Sequence, residues 1–122
     1  ENQLETLPKE FSRLRTLTSL NLSGNQLATF PKALARCAAL QNLSLASNSL
    51  NALPRSMARL RHLESLSLSN NEFEHLDREV LRGLSGLTVL WLANNRLEGL
   101  PPEMFQYCQE LQELWLHNNK LE

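Results

Sequence analysis

The sequence is poor in cysteine and glycine and has no long apolar run, and these shortages exclude several classes of protein. Two cysteines among 122 residues are too few for a small disulfide-stabilised domain. Four glycines cannot supply the regular glycine of collagen. No apolar run approaches the roughly 18 to 20 residues of a membrane-spanning helix, so we expect no membrane insertion. With 42% apolar and 20% charged residues, the chain has enough apolar content for the core of one folded domain.

Leucine is the residue in excess, and its spacing is periodic. The chain has 29 leucines, and many of them fall in five similar segments that each end in an asparagine. Counted from Asn2, the steps between these asparagines are 23, 23, 23, 24 and 24 residues. The segments are 17–25, 40–48, 63–71, 87–95 and 111–119. Because six asparagines recur at almost equal steps, chance does not explain the repeat.

The repeated pattern, L-x-x-L-x-L-x-x-N-x-L followed in most repeats by L-P, resembles the leucine-rich repeat family across essentially the whole chain. This resemblance implies an α/β solenoid, namely a horseshoe segment with a parallel β-sheet on its concave face and short helical or irregular segments on its convex face. Repeats of 23 residues are similar to those of intracellular scaffolds and some bacterial effectors. Repeats of 24 residues are similar to those of receptor ectodomains, so the mixture leaves the subfamily open.

We expect a single leucine-rich repeat domain over residues 1–122, without recognisable caps. Its predicted units are a partial repeat 1–16, repeats 17–39, 40–62, 63–86 and 87–110, and a partial repeat 111–122. Both ends cut through a repeat, so we expect a piece of a longer solenoid. Such ends would expose leucines of the outermost units, which are Leu4, Leu7, Leu114, Leu116 and Leu121.

The central Leu-x-Leu of each segment alternates with a period of two, as a half-buried strand does. We expect its leucines to point into one elongated core, together with Leu14, Cys37, Leu60 and Cys108 of the return segments. An asparagine amide both donates and accepts hydrogen bonds, so stacked copies can satisfy the backbone groups of the loops. We call these residues the asparagine ladder: Asn25, Asn48, Asn71, Asn95 and Asn119.

Cys37 and Cys108 each replace a core leucine, three repeats apart. At about 4.8 Å per strand they are separated by about 15 Å, whereas a disulfide needs Cα atoms within roughly 7 Å. Two reduced core thiols favour a cytoplasmic location. The alternative is an extracellular one, because Asn21-Leu22-Ser23 and Asn42-Leu43-Ser44 match the glycan acceptor pattern. The repeat itself places Leu and Ser beside Asn, so this match carries little weight.

The predicted concave face carries both tryptophans of the chain. The residue between the two strand leucines points outward, and these residues are Asn21, Ser44, Ser67, Trp91 and Trp115. We predict a partner-binding patch of Trp91 and Trp115, flanked by Val89, Glu113 and His117, because exposed Trp is typical of interface hot spots. The alternative is that the indoles only cover the sheet. The small polar residues of the N-terminal concave surface are interpreted as a rim or spacer.

Charge is unevenly distributed along the chain. Residues 1–62 carry eight basic and three acidic residues, a net charge of +5, whereas residues 63–122 carry four basic and ten acidic residues, a net charge of −6. Two sets of cations recur on the return segments: Lys9, Lys32, Arg55 and Arg78, and Arg13, Arg36 and Arg59. Stacked cations can bind an acidic partner or phosphates. No aromatic stacking platform accompanies them, so we expect no nucleic-acid partner and interpret the cations as a solvated face.

The sequence offers little for catalysis. His62, His75 and His117 are isolated, and no glycine-rich phosphate loop is present. We therefore expect no enzyme activity, no cofactor and no bound metal. The predicted function is non-enzymatic recognition of a protein or peptide partner on the concave sheet. Two alternatives stay open: a substrate-targeting arm of a larger enzyme, such as a kinase or ubiquitin ligase, and a receptor ectodomain segment or structural spacer.

Overall fold

The structure, a computed structural model, describes residues 3–121 of the chain. Asn2, the first asparagine of the periodic series, lies outside the described residues. Short helices and three-residue strands alternate along the chain. In order they are the 3-10 helix η1 (Lys9–Arg13), β1 (Ser19–Asn21), the 3-10 helix η2 (Lys32–Arg36), β2 (Asn42–Ser44), the 3-10 helix η3 (Arg55–Arg59), β3 (Ser65–Ser67), α1 (Arg78–Gly83), β4 (Val89–Trp91), α2 (Met104–Tyr107) and β5 (Glu113–Trp115).

The five strands form one parallel sheet whose strand order follows the chain. Each strand pairs with the next at equivalent positions, so the central leucines lie side by side across the sheet: Leu20, Leu43, Leu66, Leu90 and Leu114. Every crossover between strands passes through one of the short helices. The predicted leucine-rich solenoid, with a parallel sheet on one face and short helices on the other, is confirmed.

A single apolar core lies between the sheet and the return helices. In the interior repeats its members are almost completely buried: Leu43, Leu45, Leu66, Leu68, Leu90 and Leu92 from the strand segments, and Leu34, Met57 and Leu81 from the helices. Burial of this apolar area provides most of the favourable free energy of folding. Because a repeat buries its leucines mainly against its neighbours, the core is continuous along the solenoid.

The outermost units bury less of their apolar surface than the interior ones. Leu4 and Leu121 are exposed, and Leu114 and Leu116 are only partly buried. Leu14, which the repeat pattern places in the core, is 43% exposed. The prediction that Leu14 is buried is therefore wrong, because its unit is covered by another described repeat on one side only. The equivalent side chains of the later repeats, Cys37, Leu60 and Cys108, are buried as predicted.

The length of each repeat determines the type of its helix. The 23-residue repeats contain five-residue 3-10 helices, and in η2 the closing N–H of Cys37 donates to the carbonyl of Leu34, three residues earlier. The 24-residue repeats contain α-helices with hydrogen bonds to the carbonyl four residues earlier, from the N–H of Leu81 to Asp77 in α1 and from the N–H of Cys108 to Met104 in α2. One additional residue thus converts the tighter turn into an α-helical turn.

The start of each return helix follows the local sequence. Pro8, Pro31 and Pro54 precede the 3-10 helices, and proline suits this position because its φ is fixed and it has no N–H to satisfy. Helix α1 instead follows Asp77, whose carboxylate accepts a 2.8 Å hydrogen bond from the N–H of Glu79. This is a side-chain cap of the usual kind.

The asparagine ladder connects adjacent repeats through their backbones. The Nδ2 of Asn71 donates to the carbonyl of Leu68 in its own repeat and to the carbonyl of Leu45 in the preceding one, both at 3.0 Å. Its Oδ1 accepts a 3.0 Å hydrogen bond from the N–H of Leu50. Equivalent bonds to both repeats are made by Asn48, Asn95 and Asn119. These side chains form hydrogen bonds with loop backbone groups that would otherwise lack partners.

Candidate functional site

The outward side chains of the sheet fall into two groups. On β1, β2 and β3 they are small and polar: Ser19, Asn21, Asn42, Ser44, Ser65 and Ser67. On β4 and β5 they are Val89, Trp91, Glu113 and Trp115. The pairing register places Trp91 beside Trp115 and Val89 beside Glu113. Four of the five residues predicted for the partner-binding patch are therefore neighbours on two adjacent strands, about 4.8 Å apart.

Trp115 and the fifth predicted residue, His117, form an aromatic pair. Their ring centroids lie 6.4 Å apart and their planes meet at 85°, the edge-to-face geometry that aromatic rings favour. Trp115 is 45% exposed, whereas Trp91 is half-buried. The reason is that Trp91 has β3 and β5 on either side, whereas Trp115 lies on the last described strand. Part of the exposure of Trp115 thus follows from its place in the chain.

A groove on the same face extends over the small residues of β1, β2 and β3 and reaches Trp91. It has a volume of about 490 Å³ and is lined mainly by serine and asparagine, with Trp91 as its single aromatic residue. The interpretation of this surface as a rim or spacer did not anticipate the groove. Its sequence signal is the change from small residues on three successive strands to an indole on the fourth, from Ser67 to Trp91 at one strand position.

The polar groups of this groove are largely free to bind another molecule. Asn21 is engaged locally, because its Oδ1 accepts hydrogen bonds from the N–H of Ser23 at 2.9 Å and from the hydroxyl of Ser23 at 2.6 Å. Within the part of the chain that the structure describes, the side chains of Asn42, Ser44 and Ser67 make no hydrogen bond. Serine and asparagine side chains both donate and accept, so the groove can bind backbone N–H and C=O groups alike.

The groups that could support catalysis or metal binding are not gathered in this groove. Among residues 3–121, no cluster of three His, Cys, Asp or Glu side chains could hold a metal ion. Cys37 and Cys108 are free and buried. Burial raises the pKa of both thiols above the ordinary cysteine value, so they are neutral at physiological pH and poor nucleophiles.

The helices of the described residues are short. The longest of them, α1, has six residues. Between residues 3 and 121, no helix is long and apolar enough to cross a membrane.

The sequence and the fold of the chain are both similar to those of known proteins. A family model for the leucine rich repeat matches residues 28–73 and 61–121, and a second model of that kind matches residues 16–37. A leucine-rich repeat protein of Leptospira interrogans is similar in structure over 99% of this chain, with 38% identity and a TM-score of 0.92. No curated protein sequence matches the chain significantly.

Two further solved structures resemble the chain. An internalin of Listeria monocytogenes is 26% identical over 99% of the chain, with a TM-score of 0.84. The plant peptide hormone receptor RGFR1, in complex with RGF2, is 26% identical over 95% of the chain, with a TM-score of 0.80. The chain spans 30% of the length of the Leptospira protein, 34% of the internalin and 19% of the receptor.

Proposed function

Because the chain belongs to the leucine-rich repeat family, we propose that it is a non-enzymatic recognition module that binds a protein or peptide partner on its concave sheet. Trp91 and Trp115 are the proposed anchors. Val89, Glu113 and His117 surround them and determine which partner side chains fit.

The proposal is carried by the groove that reaches Trp91. A partner segment in this groove meets unengaged hydroxyl and amide groups at one end and an indole at the other. Hydroxyl and amide groups can donate to the C=O groups of a peptide backbone and accept from its N–H groups, so they bind many peptides. A large aromatic side chain adds affinity. The neighbouring indole of Trp115 extends the apolar surface beyond the groove. The receptor of similar structure is itself a peptide hormone receptor, which supports the same partner class.

The test compares the wild-type chain with the Trp91→Ala/Trp115→Ala variant. Partners captured from a lysate by the wild-type chain are identified by mass spectrometry, and the affinity of each is then measured by calorimetry. Removing two hot-spot tryptophans is expected to weaken binding by more than about 2 kcal/mol, roughly thirtyfold. Circular dichroism of each variant verifies that the fold is retained.

A matched control removes an aromatic side chain from the opposite face. Phe105 of α2 is 59% exposed, and Phe105→Ala is expected to leave partner affinity unchanged. The proposal fails if the double variant binds within about 1 kcal/mol of wild type, or if Phe105→Ala weakens binding as much.

A receptor ectodomain segment is the second candidate, and it is favoured by the likeness to the plant receptor. The two candidates differ in compartment: the two free thiols support a cytoplasmic location, and glycosylation would support an extracellular one. Mass spectrometry of the protein from its native source decides between them. A glycan on Asn21 or Asn42 would favour the ectodomain and contradict the cytoplasmic proposal.

A further inference from the structure

The cations of the return helices differ in their ion pairing along the chain. The two later members of the first set are paired: the Nε of Arg55 lies 3.5 Å from Asp77, and the Nη1 of Arg78 lies 3.3 Å from Glu103. Lys9 of η1 and Lys32 of η2 directly follow Pro8 and Pro31, as Arg55 follows Pro54 and Arg78 follows Asp77. Among residues 3–121, no carboxylate lies within ion-pair distance of either lysine.

The second set of cations, unlike the first, is unpaired in every repeat that the structure describes. Arg13, Arg36 and Arg59 are the last residues of η1, η2 and η3, and all three are exposed. None of them has an ion-pair partner within the described part of the chain. The cations of η1 and η2 therefore have no ion-pair partner among the described residues, and they lie on the face of the solenoid opposite the concave groove.

A depression of about 550 Å³ opens among these residues, between η1 and η2. Lys9, Lys32 and Arg36 line it, and Glu5 is the single carboxylate among its lining residues. Its apolar lining includes Leu7 and Ala33, which are both partly buried, together with the buried Phe30 and Pro31. The depression therefore combines three exposed cations with a small apolar floor.

This combination distinguishes between the possible anionic partners. Like charges held close together repel one another, and an anionic partner relieves that repulsion while it gains attraction of its own. Nucleic acid binding would also use exposed aromatic rings for base stacking, and Phe30 is buried. A protein segment with carboxylates around an apolar side chain matches both the cations and the floor. We infer that the depression between η1 and η2 is a docking site for an acidic peptide segment, separate from the concave groove.

The test uses a fluorescein-labelled peptide of twelve residues that contains aspartate and glutamate around two leucines. Fluorescence anisotropy measures its binding to the wild-type chain and to the Lys9→Gln/Lys32→Gln/Arg36→Gln variant. We expect the triple variant to bind about tenfold more weakly or worse, because three charge contacts are lost together. We also expect binding to weaken as the salt concentration rises from about 0.05 to about 0.3 M, since exposed charges are screened by salt.

The matched control is Arg82→Gln/Arg96→Gln/Lys120→Gln, which removes the same amount of charge from the C-terminal half. It is expected to change peptide affinity less than about twofold. The Trp91→Ala/Trp115→Ala variant is expected to bind the acidic peptide as wild type does, which separates this site from the concave one. Circular dichroism confirms the fold of each variant.

Four outcomes would overturn the inference. The first is that the acidic peptide does not bind the wild-type chain, and the second is that both triple variants lose the same affinity for it. The third is that a peptide with asparagine and glutamine in place of its acids binds as tightly as the acidic peptide. The fourth is that a twelve-nucleotide single-stranded DNA binds as tightly as the acidic peptide or more tightly. The last outcome would assign the surface to nucleic acid instead.

Discussion

Among single residues, Asn71 connects two repeats through the hydrogen bonds of its side chain. The residue is only 8% exposed, and its side chain makes hydrogen bonds to the backbone of two repeats. We predict that Asn71→Ala lowers the free energy of unfolding by about 2 kcal/mol, because the buried N–H of Leu50 loses its acceptor. The carbonyl of Leu45 loses one of its two donors and keeps the amide of Asn48. Urea unfolding followed by circular dichroism measures the change.

The control for Asn71 is Asn42→Ala. Asn42 lies on a strand, is exposed, and makes no side-chain hydrogen bond within residues 3–121. Its loss is expected to change stability by less than about 0.5 kcal/mol. Similar losses in the two variants would contradict the role of Asn71 as a connection between repeats.

Some features of single residues follow from the sequence and others do not. The asparagine positions were predictable from spacing, because an amide that recurs once per repeat has few other uses. Trp115 and Leu14 show what spacing leaves out, since the exposure of a side chain depends on how many repeats flank it. The left-handed backbone of Ser47 and Asn70, with φ of 56° and 58°, was not predicted, although glycine and asparagine at this repeat position were an available signal.

At the scale of secondary structure elements, the approach of α1 to η3 is set by Gly83. A Cβ at this position would overlap the Cβ of Ala58 and would lie 2.5 Å from its carbonyl oxygen. We predict that Gly83→Ala destabilises the chain by about 2 kcal/mol, although alanine favours a helix over glycine by about 1 kcal/mol. The clash prevails because backbone atoms cannot rotate away. Thermal or urea unfolding measures the change.

Gly99 provides the comparison for Gly83. A Cβ at Gly99 would have no heavy atom within 4 Å. Gly99→Ala is therefore expected to leave stability within about 0.5 kcal/mol of wild type. If Gly83→Ala were equally neutral, the two helices would have room to separate without cost.

The existence of the elements was predictable, whereas their type was not. Strand positions follow from the alternation of leucines, which fixes the buried side of each strand. The choice between a 3-10 and an α-helix depends on one residue per repeat, and that residue does not change the apolar pattern. Arg55 and Arg78 likewise follow the same repeat position, but their carboxylate partners lie in the next repeat. Such pairs depend on stacking distances that the sequence alone does not supply.

At the scale of the whole molecule, stacking makes both surfaces depend on several repeats at once. The concave groove needs three strands with small residues beside a fourth with an indole. The basic depression needs the helices of two repeats. Periodicity predicted the solenoid and the side of the sheet that faces outward. The two depressions were not predictable, because each arises from differences between repeats rather than from the features that they share.

Because each repeat contacts only its neighbours, the position of a repeat in the solenoid predicts how easily it unfolds locally. The N–H groups of Leu22, Leu45 and Leu68 donate to the next strand at 2.8, 2.9 and 2.8 Å, so their hydrogen bonds are nearly equal in length. An outer repeat opens by losing one interface, whereas an interior repeat must lose two. We therefore predict that Leu45 and Leu68 exchange their amide hydrogens at least about tenfold more slowly than Leu22, a difference of about 1.4 kcal/mol in opening free energy. Hydrogen exchange followed by NMR measures these rates in the wild-type chain. Equal rates for the three amides would indicate that the solenoid unfolds as a single cooperative unit, and would contradict opening from its ends.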